Sequence, residues 1–211
     1  MLTRREAVRL LGAACIVRPA QTEGPFFVEP ALERSDLRID PSDGSVTPGL
    51  PLALTMAVSQ KAGKDCLPLS GARVDVWHCD HRGAYSGVRD PRFDTSESRF
   101  LRGYQVTDAA GEARFMTIYP GWYSGRAVHI HFKVRNANSA DNAGEFISQL
   151  YFDDALNERV HSSGVYAARG PARVKNADDR IFRSGGDQLL LRLLPQREGY
   201  AGRFDLMLEG N

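Results

Sequence analysis

Hydrophobic and polar residues alternate along several short segments of this chain, which is the pattern of β-strands with one buried face. Near the C-terminus, for example, Phe204, Leu206 and Leu208 occupy every second position. Residues that favour turns, mainly Gly, Pro, Asp and Asn, separate these segments. We predict a short helix over residues 153–161 and strands over residues 52–59, 72–78, 112–118, 127–134, 145–152, 188–194 and 203–208.

Short strands separated by turns are typical of a β-sandwich. We therefore predict a mainly β protein, with a β-sandwich of mixed or antiparallel strands and few short helices. Residues 21–50 are rich in Pro, Gly and Asp, and we expect them to run as an extended arm over the sandwich. Residues 108–111 are predicted to form the turn of a hairpin. Residues 161–187 are predicted to be irregular.

One predicted strand carries two histidines on the same face. Because side chains alternate along a strand, His129 and His131 point the same way, roughly 7 Å apart at Cα. Val128, Ile130 and Phe132 point the opposite way, towards a core. Neutral imidazole is the commonest metal ligand in proteins, so the pair indicates a metal site. The alternative is a strand whose polar face carries histidine twice without binding a metal.

Two tyrosines follow turn-forming residues near this strand. Tyr123 comes just after a Pro-Gly pair, and Tyr85 lies in a glycine-containing loop after the strand over 72–78. A phenolate is a hard anionic donor with an ordinary pKa of about 10, and a trivalent cation can hold it deprotonated at neutral pH. Two phenolates with two imidazoles suit ferric iron better than zinc, which favours Cys, His and carboxylate ligands.

The chain resembles the intradiol ring-cleavage dioxygenases, a non-haem ferric family that opens catechols between the two hydroxyls. It resembles most the compact, often exported bacterial members, and it does not contain the long N-terminal helical dimerisation segment of catechol 1,2-dioxygenases. The resemblance lies in blocks that follow the family's order, at residues 22–27, 74–87, 100–104, 117–132 and 147–152.

The resemblance implies an enzyme that uses non-haem Fe(III) and O2 to convert a small aromatic diol into a muconate-type diacid. Arg126 matches the arginine that the family places beside the substrate, and Gln149 matches a glutamine lining the same pocket. Tyr123 is also implied in catalysis, as a ligand that leaves the metal and takes a proton when the catechol arrives. The implied iron ligands are Tyr85, Tyr123, His129 and His131, and the implied substrate-binding residues are Thr22, Gly24, Pro25, Arg126 and Gln149.

Other aromatic and histidine residues lie near these blocks but match no ligand of the family. We expect Tyr119 to pack at the turn before Tyr123. We expect His78 to make a local hydrogen bond in its strand, and His81 to be exposed in a loop.

Three other functions are alternatives to a ring-cleavage dioxygenase. A cupin-type metalloenzyme would need a glutamate shortly after the second histidine, and residues 133–137 supply none. A zinc hydrolase would leave both tyrosines unexplained. The alternative from a different class is a non-catalytic β-sandwich module that binds a carbohydrate or protein and has lost its metal chemistry.

Composition excludes several classes of protein. The 211 residues carry a formal net charge of +1, which gives no bulk basic character for binding nucleic acid. Charged residues make up 25% and hydrophobic residues 42%, as in a globular protein. No apolar stretch approaches the roughly 20 residues of a membrane span. The oligomeric state is left open.

Residues 1–20 differ from the remainder, residues 21–211, which we interpret as the catalytic domain. Arg4 and Arg5 precede a short apolar run, as in a twin-arginine export signal, but the equally weighted alternative is an N-terminal amphipathic helix of a cytoplasmic enzyme. Three cysteines are too few for a disulfide scaffold. In an exported protein Cys66 and Cys79 are a candidate pair, whereas in the cytoplasm both are expected to be buried thiols, and the sequence leaves the two alternatives open.

Overall fold

A computed structural model of the chain describes residues 15–29, 32–136 and 145–208. Over these residues, two β-sheets pack face to face around a hydrophobic core. Single-turn 3-10 helices span Gly164–Tyr166, Asn176–Asp178 and Gly186–Leu189. The α-helix is α1 (Asp154–His161), and the strands are β1 (Pro51–Ala62), β2 (Asp65–Pro68), β3 (Arg73–Trp77), β4 (Arg89–Asp90), β5 (Phe93–Asp94), β6 (Arg102–Val106), β7 (Glu112–Ile118), β8 (His129–Arg135), β9 (Glu145–Tyr151), β10 (Leu193–Pro195) and β11 (Tyr200–Leu208).

The larger sheet is built on β1, whose alternate residues Leu52, Leu54 and Met56 are buried in the core. Strand β11 pairs in parallel with one edge of β1, and β10 continues the sheet beyond β11. Strands β7 and β2 pair antiparallel with the other edge. The sheet is therefore mixed, as the sequence predicted for the sandwich.

The smaller sheet has the order β6-β3-β8-β9 and is antiparallel throughout. Alternation along β8 places Ile130, Phe132 and Val134 in the core between the sheets. The alternate residues of β8, which include His129 and His131, lie on the outer face of this sheet. Both histidines are nevertheless buried, because another segment covers that face.

The covering segment is the N-terminal arm, described here from residue 15 onwards. The backbone N–H of Gln21 donates to the carbonyl of Ile147 in β9 at 2.9 Å, which fixes the arm against the smaller sheet. Glu23 forms an ion pair with Lys133 of β8, whose side chain is 7% exposed. The predicted arm is thus confirmed, and it provides the cover that keeps water from the outer face.

The prediction of a mainly β sandwich is confirmed, but three local predictions need correction. The predicted strand over 188–194 is mostly wrong, because the strand there begins only at Leu193. Leu189 and Leu191 are buried, but they lie in a 3-10 turn and in a loop. Strands β2, β4, β5 and β6 were not predicted; the segment at Arg102, for example, lacks apolar alternation. The turn over 108–111 exists, but it joins β6 of one sheet to β7 of the other instead of closing a hairpin.

The predicted export signal or helix over 1–20 falls mostly on residues 1–14, which lie outside the described residues, and residues 15–20 have no regular secondary structure. In the described part of the chain, no helix is long and apolar enough to span a membrane.

Cys66 does not pair with Cys79, which was one of the two alternatives left open by the sequence. Cys66 forms a disulfide with Cys15, with the two Cα atoms 5.5 Å apart, whereas Cys79 is a buried free thiol. Cys66 lies on β2 of the larger sheet, and Cys79 follows β3 of the smaller one, so the core separates them. The arm brings Cys15 to β2, and the disulfide ties the start of the described arm to the sandwich.

Candidate metal centre

The two histidines of β8 converge at their Nε2 atoms, which lie 3.0 Å apart. The side chains of His129 and His131 are buried, at 2% and 0% exposure. Nδ1 of His129 donates to the backbone carbonyl of Ala127 at 2.7 Å, so its Nε2 carries the free lone pair. Two ring nitrogens this close together are arranged to share one cation.

Both imidazoles are neutral at physiological pH. Burial, together with the positive charge of Arg126, lowers the pKa of His129 to about 3. Burial, together with His129 and Arg126, also lowers the pKa of His131 well below its ordinary value. A neutral imidazole is the form that binds a metal ion.

The two predicted tyrosine ligands complete this cluster. The hydroxyl of Tyr123 lies 3.4 Å from Nε2 of His129. The ring of Tyr85 lies 5.6 Å from that of Tyr123 and 6.1 Å from that of His131, measured between centroids. The Tyr85 hydroxyl is buried and has no hydrogen-bond partner among the described residues. A buried polar atom without a partner requires an explanation, and a metal ion at the imidazole pair provides one.

Burial raises the pKa of Tyr85 well above its ordinary value, and the neighbouring phenol of Tyr123 adds to the effect. Burial also raises the pKa of Tyr123, against the opposing effect of Arg126. Both phenols are therefore protonated in the absence of a metal, and only a strong local cation would ionise them. The donor set of two imidazoles and two phenols fits a ferric ion.

The two tyrosines lie on loops whose backbones are in direct contact, each loop through a glycine that packs against the other loop. A Cβ on Gly83, two residues before Tyr85, would lie 2.2 Å from the carbonyl oxygen of Trp122. A Cβ on Gly121, two residues before Tyr123, would lie 2.2 Å from the carbonyl oxygen of Asp80. Since no side chain fits at either position, the glycines allow the two tyrosine loops to pack directly against each other.

His131 is held between an aromatic ring and the arm. The indole of Trp77 stacks on its imidazole, with centroids 5.0 Å apart and planes 6° apart. On the arm, a Cβ on Gly24 would lie 3.1 Å from Cε1 of His131, and Gly24 has a φ of +75°. Gly24 therefore permits the arm to approach the imidazole directly.

Arg126 and Gln149, the other predicted site residues, lie beside the cluster. Nη1 of Arg126 is 3.4 Å from the Tyr123 hydroxyl and 3.5 Å from Nε2 of His129. Its Nη2 donates to Oε1 of Gln149 at 2.6 Å. Nε2 of Gln149 in turn donates to the backbone carbonyl of Thr22 at 2.9 Å, which links the arm to the arginine.

All predicted site residues except Pro25 thus come together in the structure. Pro25 lies exposed in the turn that follows Gly24. Tyr119 packs in the core as expected, where its hydroxyl donates to Asn157 at 2.6 Å. His78 bonds to the carbonyl of Cys79 and to Thr117, as expected.

The expectation for His81 is wrong, because this residue is only partly exposed and its Nδ1 is buried. Across residues 15–29, 32–136 and 145–208, no group of three histidine, cysteine or carboxylate side chains is placed to bind a metal. The mixed cluster of imidazoles and phenols is therefore the candidate metal centre.

Two residues that contact Arg126 were not predicted. Tyr151, whose hydroxyl lies 3.3 Å from Nη2, could have been found, because it shares a strand face with Gln149 two positions earlier. Asp179 accepts a hydrogen bond at Oδ2 from Nε of Arg126, at 2.8 Å. It could not have been predicted, because it lies in an irregular segment distant in sequence, where no local pattern marks it.

Comparison with known proteins identifies the family of this chain. A family model described as a dioxygenase matches residues 22–180. An intradiol ring-cleavage dioxygenase structure from Tetranychus urticae is 31% identical, covers 92% of this chain and 95% of its own, and superposes with a TM-score of 0.77.

Among curated proteins, catechol 1,2-dioxygenase 2 of Acinetobacter lwoffii is 38% identical over 155 residues, which are 64% of this chain and 51% of that protein. Chlorocatechol 1,2-dioxygenase of Pseudomonas putida is 30% identical over 151 residues, or 62% and 52% of the two chains. The chain spans about half the length of these curated relatives. With the family model matching most of its length, the chain belongs to the intradiol ring-cleavage dioxygenase family.

Proposed function

We propose that this protein is a non-haem Fe(III) dioxygenase that cleaves catechol-type rings between their two hydroxyls with O2, giving muconate-type diacids. The observation that carries the proposal is the convergence of two imidazoles and two phenols at one buried point. The names of the catechol and chlorocatechol 1,2-dioxygenases that it matches support the same reaction class and do not favour the non-catalytic binding module.

The ligands we assign are Tyr85, Tyr123, His129 and His131. Two phenolates would offset most of the charge of a ferric ion, and two neutral imidazoles would complete the set without adding charge. Held by these four residues, Fe(III) would supply Lewis acidity that activates a catechol ring towards O2.

Tyr123 is suited to hold a proton during substrate binding. Its hydroxyl lies at the edge of the cluster, 3.4 Å from Nη1 of Arg126. As a phenolate ligand, Tyr123 would take a proton at Oη from an arriving catechol hydroxyl, because burial favours the neutral phenol once the oxygen is free of the metal. The proton transfer lets the substrate bind as an anion without leaving an uncompensated charge in the buried site.

Arg126 supplies a fixed positive charge beside the substrate position. Its side chain is only 13% exposed, and its guanidinium is held at Nε and Nη2, so it needs little reorganisation during the reaction. A positive group fixed in a buried site stabilises negative charge that develops on the ring oxygens. Gln149 lines the same position and keeps Nη2 of Arg126 in place.

Aromatic side chains of the arm keep water from the phenols. Phe26 stacks on Tyr85 at 4.5 Å and contacts Tyr123 edge-on at 5.6 Å. Phe27 packs against Trp77 at 4.9 Å. Removing water strengthens the electrostatic interactions within the site, including those of Arg126.

The proposal is tested by the visible spectrum of the protein after reconstitution with ferric iron, recorded without oxygen. We expect a wine-red band from tyrosinate-to-iron charge transfer, which shifts to longer wavelength when catechol is added. The variant Tyr123→Phe should weaken the band and lower turnover, whereas Tyr119→Phe, which removes a buried hydroxyl outside the site, should retain both. A reconstituted protein that stays colourless would overturn the proposal.

A further inference from the structure

Arg126 is held from the side away from the phenols by a buried carboxylate. Nε of Arg126 donates to Oδ2 of Asp179 at 2.8 Å, and the side chain of Asp179 is 1% exposed. In the described part of the chain, Asp179 is the carboxylate that pairs with Arg126. The other groups near this guanidinium are the hydroxyls of Tyr123 and Tyr151, the amide of Gln149 and the imidazole of His129, which are neutral in the metal-free protein.

Asp179 is itself rigidly placed. Its Oδ2 also accepts the backbone N–H of Ala127 at 2.8 Å. Its Oδ1 accepts the backbone N–H groups of Ile181 and Phe182, at 2.7 and 3.2 Å. The carboxylate therefore joins Ile181 and Phe182, which follow the second 3-10 turn, to Ala127, which is next to Arg126. The donor in each of these hydrogen bonds is an N–H group.

We propose that Asp179 is a positioning residue for the ring-cleavage reaction, acting through Arg126. A guanidinium is planar, so holding Nε on Asp179 and Nη2 on Gln149 fixes the direction of Nη1. Nη1 is the nitrogen that faces Tyr123 and His129. The inference rests on the proposed function, because it gives Arg126 a purpose at the substrate position.

The variant Asp179→Asn isolates this role. An amide nitrogen in place of Oδ2 would face two N–H donors, those of Arg126 and Ala127, so the side chain of Arg126 would lose its anchor. We expect kcat to fall about 10- to 100-fold, because small misplacements of a charged group have effects of that size. Asp179→Glu keeps the charge and should recover part of the loss.

Asp40→Asn is the matched control. Asp40 is 2% exposed and accepts the backbone N–H groups of Ser42 and Arg99, each at 3.0 Å, but has no bond to Arg126. Both variants should lower the melting temperature, and only Asp179→Asn should lower kcat. Equal kcat values for the two variants would overturn the inference.

A double-mutant cycle with Arg126→Gln separates positioning from a general structural effect. If Asp179 acts through Arg126, then Asp179→Asn should change kcat less than about 2-fold in the Arg126→Gln background. A full loss of kcat in both backgrounds would mean that Asp179 does not act through Arg126, and the inference would fail.

A measurement on the metal-free protein keeps this test independent of the iron chemistry. In protein labelled with [15N]arginine, the Nε–H signal of Arg126, assigned by its absence in Arg126→Gln, should exchange slowly with water and should exchange faster in Asp179→Asn. Fast exchange in the parent protein would overturn the inference about Asp179 and would leave the proposed function untouched. A reconstituted parent protein with no ring-cleavage activity would overturn the proposed function, while slow exchange would still support the Asp179–Arg126 anchor.

Discussion

Trp77 stacks in parallel on the imidazole of His131, with ring centroids 5.0 Å apart. Nδ1 of His131 is buried and has no hydrogen-bond partner in the described part of the chain, so a second hydrogen bond does not orient this ring. Its orientation depends instead on the stacked indole of Trp77 and on the close approach of the arm at Gly24. Packing therefore replaces the polar contact that commonly orients a metal-binding histidine.

We expect Trp77→Leu to lower the affinity for ferric iron by about 10-fold, because loss of a group that orients a ligand has effects of at least that size. Trp77→Phe keeps a flat ring and should retain most of the affinity. Iron titration followed at the charge-transfer band measures both. The control Phe27→Leu removes a ring that contacts Trp77. If Trp77→Leu and Phe27→Leu have the same affinity, stacking on His131 does not orient the ligand.

Gly121→Ala should displace one tyrosine loop from the other. The new methyl group would lie 2.2 Å from the carbonyl oxygen of Asp80, which is backbone and has little freedom to move. We expect a loss of about 3 kcal/mol in the free energy of unfolding, as for strong overpacking, and a weaker charge-transfer band. Denaturant unfolding of the metal-free protein and the spectrum of the reconstituted protein measure the two effects.

Gly125→Ala is the control for this prediction. Gly125 has a φ of +85° but no heavy atom within 4 Å of an added Cβ. It should therefore lose only about 1 kcal/mol from backbone strain and keep the band. If Gly121→Ala and Gly125→Ala have similar spectra, the contact of Gly121 with Asp80 does not hold the tyrosine loops in place.

The disulfide between Cys15 and Cys66 should hold the arm in place. It closes a loop with a sequence separation of 51, for which chain entropy gives an upper bound of about 4 kcal/mol. Reduction, or the variant Cys15→Ser/Cys66→Ser, should lower the melting temperature and make the arm sensitive to protease. Limited proteolysis with mass spectrometry locates the cleavage. Cys79→Ser, which removes the buried free thiol, should leave the response to reductant unchanged, and an arm equally resistant with and without reductant would contradict the prediction.

His78 should make the protein less stable in mild acid. Burial lowers its pKa to about 4 in the folded protein, whereas an unfolded histidine titrates near 6.5. Between these values the unfolded chain binds a proton that the folded chain does not, so the free energy of unfolding falls as pH falls from about 6.5 to 4. The contribution of one such group is at most about 3 kcal/mol, and it is fully present above pH 6.5.

The variant His78→Gln keeps a polar side chain beside Thr117 but does not titrate. Its free energy of unfolding should therefore depend less steeply on pH over this window than that of the parent protein. Denaturant unfolding at a series of pH values measures the two slopes, and the other buried histidines contribute equally to both. Identical slopes would show that His78 is not buried in its neutral form.

Short-range alternation was sufficient to place much of the candidate site. Side chains of a strand change face at every residue, so His129 and His131 were predicted to lie together and opposite Ile130, and the structure places them so. The helix at 154–161 was predicted equally well, because Asp153 begins it by accepting the N–H of Leu156. The resemblance to a known family then singled out Tyr85 and Tyr123, which no periodicity distinguishes from Tyr119.

The relationships that were missed or wrongly predicted all join segments that are distant in sequence. Cys66 pairs with Cys15 because the arm crosses from the larger sheet to the smaller one. Asp179 reaches Arg126 from an irregular segment. Local patterns record which face of a segment is buried, since that depends on the geometry of the segment itself. Which segments meet depends on the packing of the whole chain, so only the tertiary structure decided the disulfide and the anchor of the arginine.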